Sequence, residues 1–353
     1  MRDGGNRVTI LISGATGFIG SAITRHLLGA GHAVCALSRS TSKAMAKFAG
    51  YEAGRRALAD GRLTFTEGDV TRPETLTRAL ETWAALGNLE AVIQAAQFPG
   101  APVEDPRRGL TYAAVDQNGT LNLLGAIAQV YGVPTAAPTL ARFPKSAPRF
   151  LYVSGITVSP GAREPWNRAK WEAEEAIRGS GLSWTIVRCC WAYGPEDHAL
   201  NRLLGYAERL PFLPVFGSGK ELLTPLFVED IGRFFTHLVA QAGGSSEAPT
   251  PGGGRDTTFG LGGPDLVTLN DFLKLALELK GLKQPILHVP KALGKLGAAL
   301  VQYLPGRPLT PSAVDFIAQG GAVSEMERNL LKEHFPEFTL TPLREGLAYL
   351  QGP

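Results

Sequence analysis

Apolar residues in this chain fall into short continuous runs, set apart by longer stretches in which they recur every three or four positions. Val8 to Ile12 is a run of strand length, and a helical pattern follows from about Phe18 to Leu28. Gly29 and Gly31 lie where that helix should stop, and Val34 to Leu37 is the next strand-length run. The alternation continues. "RLTFTEGDV" reads as a third strand ending at Asp69, and "LEAVIQAAQ" as a fourth ending in the small residues Ala95 and Ala96. "VDQNGTLNLLGAIAQ" reads as the following helix, "RFLYVSG" as a fifth strand, and the apolar run through Cys189 and Cys190 as a sixth. Strand, helix, strand in this rhythm predicts an α/β chain: a Rossmann-type doubly wound parallel sheet with a smaller C-terminal domain on the substrate side.

The pattern divides the chain unevenly. Residues 1–190, with a strand and helix near 222–242, form the expected nucleotide-binding domain, and about 191–221 and 251–353 the substrate side. "VPTAAPTLARFPKSAPR" (133–149) is too proline-rich for a helix interior, and "QAGGSSEAPTPGGGRD" (241–256) reads as a loop.

Composition narrows the class. The 353 residues are 44% hydrophobic and 19% charged, which is ordinary for a globular chain long enough to bury a large core. A formal charge of +3, with basic residues scattered, does not imply nucleic acid as a partner. Three cysteines, Cys35, Cys189 and Cys190, make no disulfide framework, and nothing has metal-ligand spacing, so a reducing cytoplasm is expected. No run is long enough to span a membrane. The stretch "ALGKLGAALVQYLPG" (292–306) reads first as a packed helix of the C-terminal domain, with an amphipathic surface helix in peripheral membrane contact as the alternative.

The turn between the first strand and helix carries the first chemistry. Gly14, Gly17 and Gly20 stand in the order GxxGxxG, with Thr16, Phe18 and Ile19 between and beside them. Set between a strand and a helix, such glycines allow a tight turn, close approach of a pyrophosphate, and close helix–sheet packing. The N–H groups of the helix start then face the phosphates. A dinucleotide is the expected ligand, with Asp69 and Val70 near its adenine and Ala95 and Ala96 letting it lie close to the sheet. At the end of the second strand stand Ser38 and Arg39, with Lys43 nearby. A carboxylate there would hold a ribose 2′-hydroxyl, whereas a hydroxyl and a guanidinium suit a 2′-phosphate, so NADP(H) is favoured over NAD(H).

With "GATGFIG" (14–20), "GDV" (68–70), "NGTLNLL" (118–124), "LYVS" (151–154), "AYGP" (192–195) and "PLFVEDIGR" (225–233) in view, the chain resembles the extended short-chain dehydrogenase/reductase superfamily, its epimerase/dehydratase-like group. "WTIVRCCWAYGPEDHALNRLL" (184–204), "LPFLPVFGSGKELLTPLFVEDIGRFF" (210–235), "FGLGGPDLVTLNDFLKLAL" (259–277) and "LPGRPLTPSAVDFI" (304–317) are similar to an atypical branch. That branch surrounds the dehydrogenase-like accessory subunit of mitochondrial complex I and its bacterial relatives. The resemblance implies a non-covalently bound NADP(H), often without a demonstrated reaction.

The wider superfamily implies a tyrosine as general acid, a lysine four residues on that lowers its pKa and holds a ribose, and a serine or threonine that polarises a carbonyl. Carried over, the lysine is Lys170, while Trp166 stands at the tyrosine. An indole N–H donates a hydrogen bond but releases no proton at usable pH. The serine position falls on Gly155, with Ser154 before it and Thr157 after; neighbouring strand residues point to opposite faces. The asparagine before "GT" appears as Asp116, with Asn118 two along. Gly155 to Trp166 is also a shorter gap than the family uses. Tyr193 in "WAYGP" is the next candidate acid, His198 a weaker one, and Asp230 in "VED" reads as a helix-start contact rather than a catalyst.

Three functions compete on this reading. The first is a dinucleotide-binding protein with weak or no classical reductase activity. The second is an NADP-dependent oxidoreductase or sugar-nucleotide-type epimerase/dehydratase with a substitute acid, acting on an unidentified small molecule. The third is an accessory or assembly partner of a respiratory complex. A homodimer is compatible with each.

Overall fold

The computed structural model describes residues 8–85, 89–98, 104–133, 143–241, 254–301 and 320–351. Most of "VPTAAPTLARFPKSAPR" and of "QAGGSSEAPTPGGGRD", and all of "LPGRPLTPSAVDFI" lie outside the described residues, as does the end of the 292–306 stretch.

The first half of the chain follows the predicted rhythm closely. β1 (Thr9–Ser13), α1 (Phe18–Gly29), β2 (Ala33–Ser38), α2 (Thr41–Ala49), α3 (Glu52–Ala59), β3 (Leu63–Glu67), α4 (Pro73–Ala84), β4 (Leu89–Gln94), α5 (Asn118–Val130), β5 (Arg149–Gly155), α6 (Pro165–Arg178) and β6 (Trp184–Cys189) alternate along it. Every residue of β1 and β5 is buried, as expected of parallel strands covered on both faces.

The second half is built of smaller pieces. β7 (Ala192–Tyr193), α7 (His198–Arg209), β8 (Leu213–Phe216), β9 (Leu222–Leu223), β10 (Leu226–Phe227) and α8 (Val228–Ala240) come first. β11 (Thr257–Leu261), β12 (Val267–Thr268), α9 (Leu269–Leu279), β13 (Ile286–Val289) and α10 (Lys291–Val301) follow, then helices at Glu325–His334 and Leu343–Gly346.

The main sheet has seven parallel strands in the order β11-β6-β5-β4-β1-β2-β3. The order reverses beside β1, so a crevice opens beyond the carboxyl ends of β1 and β4, where open α/β sheets bind ligands. One face of the sheet packs Ile23 and Leu27 of α1, Phe48 of α2, Phe234 and Leu238 of α8, and Leu331 of the Glu325–His334 helix. The other packs Leu76 and Leu80 of α4, Leu123 and Ile127 of α5, and Ala173 and Ile177 of α6. α1 and α8 approach so closely that a Cβ at Gly232 would lie 2.9 Å from the Ala22 carbonyl oxygen. Arg25 and His26 of α1 bind Glu229 of α8 at 2.7 and 2.8 Å.

β10 does not join this sheet. It pairs with β7, while β9 pairs with β12 and β8 with β13. The seventh strand of the large sheet is β11, although the sequence division counted everything from 251 onward with the substrate side. Tyr193, Leu200, Leu204, Leu213, Phe272, Leu273, Leu343 and Leu347 form a separate apolar cluster that holds the C-terminal part together. Among the described residues, no helix is long and apolar enough to cross a membrane.

Candidate functional site

The glycine turn is shaped by its neighbours. Gly14 adopts a left-handed φ of +69°, and a Cβ there would sit 2.5 Å from the Ala96 nitrogen and 2.6 Å from the Ala95 carbonyl. Gly20 allows α1 to approach the turn, since a Cβ on it would lie 2.1 Å from the Gly14 oxygen. Gly17 differs: a Cβ would meet only the Gly14 oxygen, at 3.2 Å, so protein packing alone does not demand glycine there. Gly17 is the N-cap of α1, no side chain caps it, and the first turn holds no acidic residue. The free N–H groups and the positive end of the helix dipole are therefore left for an anion, and these residues fit a dinucleotide pyrophosphate. Thr16 is exposed, Phe18 and Ile19 partly so.

Three residues that sequence reasoning missed brace this turn. Lys47 of α2 donates to the Thr16 carbonyl at 3.0 Å and to Glu196 at 2.7 Å, and the Tyr51 hydroxyl donates to the same carboxylate. Lys47 and Glu196 lie 149 positions apart, so no local spacing could announce the contact.

At the end of β2, Ser38 is buried and fastens its own turn, its Oγ donating to the Ser40 carbonyl at 3.0 Å and accepting from the Ser40 N–H at 3.2 Å. Arg39 and Lys43 are exposed, and neither makes an ion pair among the described residues. The first turn of α2 has no acidic residue, and the Ser40 and Ser42 hydroxyls lie 3.2 Å apart. Asp69 Oδ1 accepts from the Thr71 N–H at 2.9 Å and its hydroxyl at 2.8 Å. Val70 packs so tightly on α5 that a Cβ at Gly119 would be 2.8 Å from it, and its carbonyl accepts from Asn122 at 2.9 Å.

The end of β5 holds the main departure from the family pattern. A Cβ on Gly155 would lie 2.6 and 2.8 Å from two carbons of the Trp166 six-membered ring. The indole thus fills the space a side chain on residue 155 would need, and the missing hydroxyl and the missing phenol are two sides of one packing arrangement. Trp166 itself is half-buried.

The nearby hydroxyls are engaged elsewhere. Ser154 turns to the opposite face, as strand alternation requires, and donates to buried Glu174 at 2.6 Å. Glu174 also takes Arg178 at 2.7 Å and Arg188 at 2.6 Å. Thr157 donates to Asn167 at 3.0 Å.

Lys170 is 3% exposed and donates to the Val153 carbonyl at 3.2 Å. Its ammonium also lies 3.2 Å from Asp116 and 5.2 Å from the centre of the Tyr152 ring. Asp116 sits in a π-helical turn (Ala113–Gln117) and accepts from the Phe98 N–H at 3.0 Å. Burial pushes the Asp116 carboxyl up against the pull of Lys170. Burial works against the ammonium too, but Tyr152 and Asp116 outweigh it and hold the Lys170 pKa above its ordinary value. Asp116 and Tyr152 were not legible as this lysine's partners, because they come from α5's entry turn and the middle of β5.

Tyr193 is fully buried, in edge and tilted contact with Phe227 and Phe272. A Cβ at Gly346 would be 2.2 Å from its hydroxyl, so the C-terminal helix lies directly over it. Burial, with Asp230 near, raises the phenol far above its usual range. The structure does not bring Tyr193 to Trp166 or Lys170. His198 is exposed at the start of α7, which Asp197 caps through the Ala199 and Leu200 N–H groups at 2.7 and 2.8 Å. Asp230 is buried and takes the Thr341 N–H at 2.8 Å and hydroxyl at 2.7 Å. Cys189 and Cys190, at the end of β6, are also raised by burial, Cys190 to about 12.

The profile of the NAD dependent epimerase/dehydratase family matches residues 10–248. Among curated proteins, the chain is 28% identical over 131 residues to "NADH dehydrogenase [ubiquinone] 1 alpha subcomplex subunit 9, mitochondrial" of Arabidopsis thaliana, covering 37% of this chain and 30% of that protein. It is 35% identical over 179 residues to "Photosystem II assembly factor Ycf39" of Synechocystis, covering 51% of this chain and 43% of that one. A rice protein (Oryza sativa subsp. indica), "Divinyl chlorophyllide a 8-vinyl-reductase, chloroplastic", is 27% identical over 312 residues, covering 85% of this chain and 67% of its own. The chain thus spans less than half the length of the first two.

Solved structures share the fold. An epimerase from Methanothermobacter thermautotrophicus superposes with a TM-score of 0.64 at 18% identity, over 98% of this chain and 91% of its own. A UDP-glucose 4-epimerase from Thermotoga maritima does so with 0.61 at 19%, over 97% of each.

Proposed function

Since this chain belongs to the NAD dependent epimerase/dehydratase family, as an atypical member of it, we propose that it is a dinucleotide-binding protein that prefers NADP(H) and has little or no acid-assisted carbonyl reductase activity. The observation that carries the reading is the Trp166 ring packed over Gly155. When bound, a reduced nicotinamide supplies a hydride. The chain's own part is to hold the pyrophosphate at Gly17 and the start of α1, and a 2′-phosphate at Arg39, Lys43 and the α2 N-terminus. Lys170, fixed between Asp116 and the Val153 carbonyl, would supply positive charge beneath the nicotinamide ribose. Among the described residues, none of the candidate groups is left to deliver a proton beside it. Trp166 does not ionise, Ser154 and Thr157 are turned to Glu174 and Asn167, and the phenol of Tyr193 is sealed under Gly346.

The test combines titration and turnover. Calorimetry should give tighter binding for NADPH than NADH, and NADPH oxidation with aldehydes and saturated ketones should stay far below 1 s⁻¹, roughly the lower end of ordinary turnover. Equal affinities remove the cofactor preference, and rapid reduction of simple ketones removes the non-catalytic reading. An NADP-dependent oxidoreductase or epimerase that uses Tyr193 as acid would need that hydroxyl uncovered, and Tyr193→Phe would then abolish turnover.

A second reading rests on two relatives that are, by name, a subunit of NADH dehydrogenase and an assembly factor of photosystem II. A dinucleotide-loaded protein seated on a respiratory complex, in the cytoplasm or at the membrane surface, would need no catalytic acid. Co-purification with respiratory subunits tests it, as does a sizing run for a homodimer.

A further inference from the structure

Asp116 stands where the family pattern has a neutral asparagine, and it puts a carboxylate against the lysine. The Lys170 ammonium lies 3.2 Å from Asp116 Oδ1, with the two side chains 4% and 2% exposed. The second carboxylate oxygen accepts from the Phe98 N–H at 3.0 Å. Buried polar contacts tie the pair to the crevice at the carboxyl ends of β1 and β4. Ser13 and Gln94 are the last residues of those strands, and the Ser13 hydroxyl donates to the Gln94 side chain. Gln94 donates to the Thr120 hydroxyl at 3.2 Å, and Thr120 donates to the Asp116 carbonyl at 2.7 Å. The neighbouring carboxylates are engaged elsewhere, Glu174 with Arg178 and Arg188, and Glu104 with the Tyr112 N–H at 2.8 Å.

We infer that Asp116 determines which redox form of the cofactor the site accepts: its carboxylate cancels the Lys170 charge and removes the penalty that a lone ammonium would put on NADP⁺. The inference rests on the dinucleotide-binding reading above and deepens it for that same site.

The two forms of the cofactor differ by one charge. The oxidised nicotinamide ring is a cation, and the reduced ring is neutral. A buried ammonium without a counter-ion repels the first and leaves the second untouched, whereas an ammonium paired with a carboxylate presents only a dipole. The ammonium still meets a ribose hydroxyl at contact distance, but the field that reaches farther is that of the pair. A unit charge acting through an effective dielectric of about 20 changes a ratio of affinities about tenfold at about 12 Å, and more when closer. An asparagine at residue 116 would keep an acceptor for the Phe98 N–H and would leave the lysine's charge uncancelled.

The readout is the ratio of the NADP⁺ and NADPH dissociation constants, measured by calorimetry on variants whose melting curves show them folded. Asp116→Asn, titrated at about pH 6.5 so that the lysine stays protonated, should move the ratio about 10-fold in favour of NADPH. Lys170→Met, titrated at about pH 8.5 so that the carboxylate is ionised, should move it about as far in favour of NADP⁺. The wild-type ratio at each of the two pH values is the reference. Lys170→Met should also weaken both forms through the lost ribose contact, but a residue that only supports the fold moves both constants together and leaves the ratio alone. Should Asp116→Asn fail to fold, Lys170→Met decides by the same criterion. A ratio unmoved in a folded variant, or moved in the same direction by both, overturns the inference. Binding of NADPH and NADP⁺ with such a ratio overturns this inference alone, and absence of binding by the wild-type protein brings down the dinucleotide reading with it.

Discussion

At the scale of single residues, the three glycines of the first turn are not equivalent. A Cβ on Gly14 or Gly20 would meet protein backbone at 2.5 and 2.1 Å, whereas one on Gly17 would meet only the Gly14 oxygen, at 3.2 Å. Gly17→Val should therefore abolish NADPH binding in calorimetry while leaving the melting curve within a few degrees of wild type. Gly20→Val should lower the melting temperature sharply, because α1 must move off the turn. The reverse ranking would place the pyrophosphate elsewhere. Arg39 is exposed and unpaired among the described residues, so its removal disturbs little in the apoprotein. Arg39→Ala should weaken NADPH by about 1–3 kcal/mol, the value of a charge-assisted contact, and leave NADH almost unchanged. A similar loss for both cofactors would assign the arginine a general role in the local field.

At the scale of elements, α7 carries a pH-dependent cap. Burial pushes the Asp197 carboxyl up to about 6 from 3.8, against the pull of the two N–H groups it caps. The folded state thus binds the proton more tightly than the unfolded one. This group's stabilising share is full below about pH 4 and is lost as pH rises to about 6, by roughly 3 kcal/mol at most. Asp197→Asn keeps a good capping residue without the charge. Its melting temperature relative to wild type should rise between pH 4 and 6 and level off above. A flat difference across that range would show that the charge is well tolerated where it sits.

Elements were also where the sequence was most readable. The β1–α1–β2 unit and the strands up to β6 stood out because apolar runs, glycines and helical periodicity agree there locally. β11 was hidden, since "TTFGL" is short, holds a glycine and belongs to the sheet only through pairing with β6 some 70 residues earlier. The end of β5 was half readable. The replacement of tyrosine by Trp166 was visible in the sequence, but its contact with Gly155 was not, because a steric relation across 11 positions leaves no periodic trace. The burial of Tyr193 was equally invisible, because what covers it arrives about 150 residues later.

At the scale of the whole molecule, the C-terminal segment acts as a closing piece. Thr341 is tied to Asp230, and Leu343 and Leu347, 4% and 0% exposed, complete the cluster around Tyr193. Ending the chain after residue 342 removes both leucines and uncovers the tyrosine. A loss of at least about 4 kcal/mol is expected from two buried leucines, read in urea unfolding. An unchanged midpoint would mean that the cluster closes without them.

The pairing of α1 with α8 bears on how the protein is made. Arg25 reaches Glu229 across 204 positions, and Gly232 of α8 lets the two helices pack closely at Ala22 and His26. The helix that presents the dinucleotide turn thus leaves the ribosome about 200 residues before its packing partner. At ordinary rates of synthesis, tens of seconds separate the two. During that interval the nascent chain carries a greasy helix and an unbraced phosphate turn, since Glu196 also emerges late. Chaperone occupancy should therefore peak on chains arrested short of residue 240, and cofactor capture should begin only beyond it.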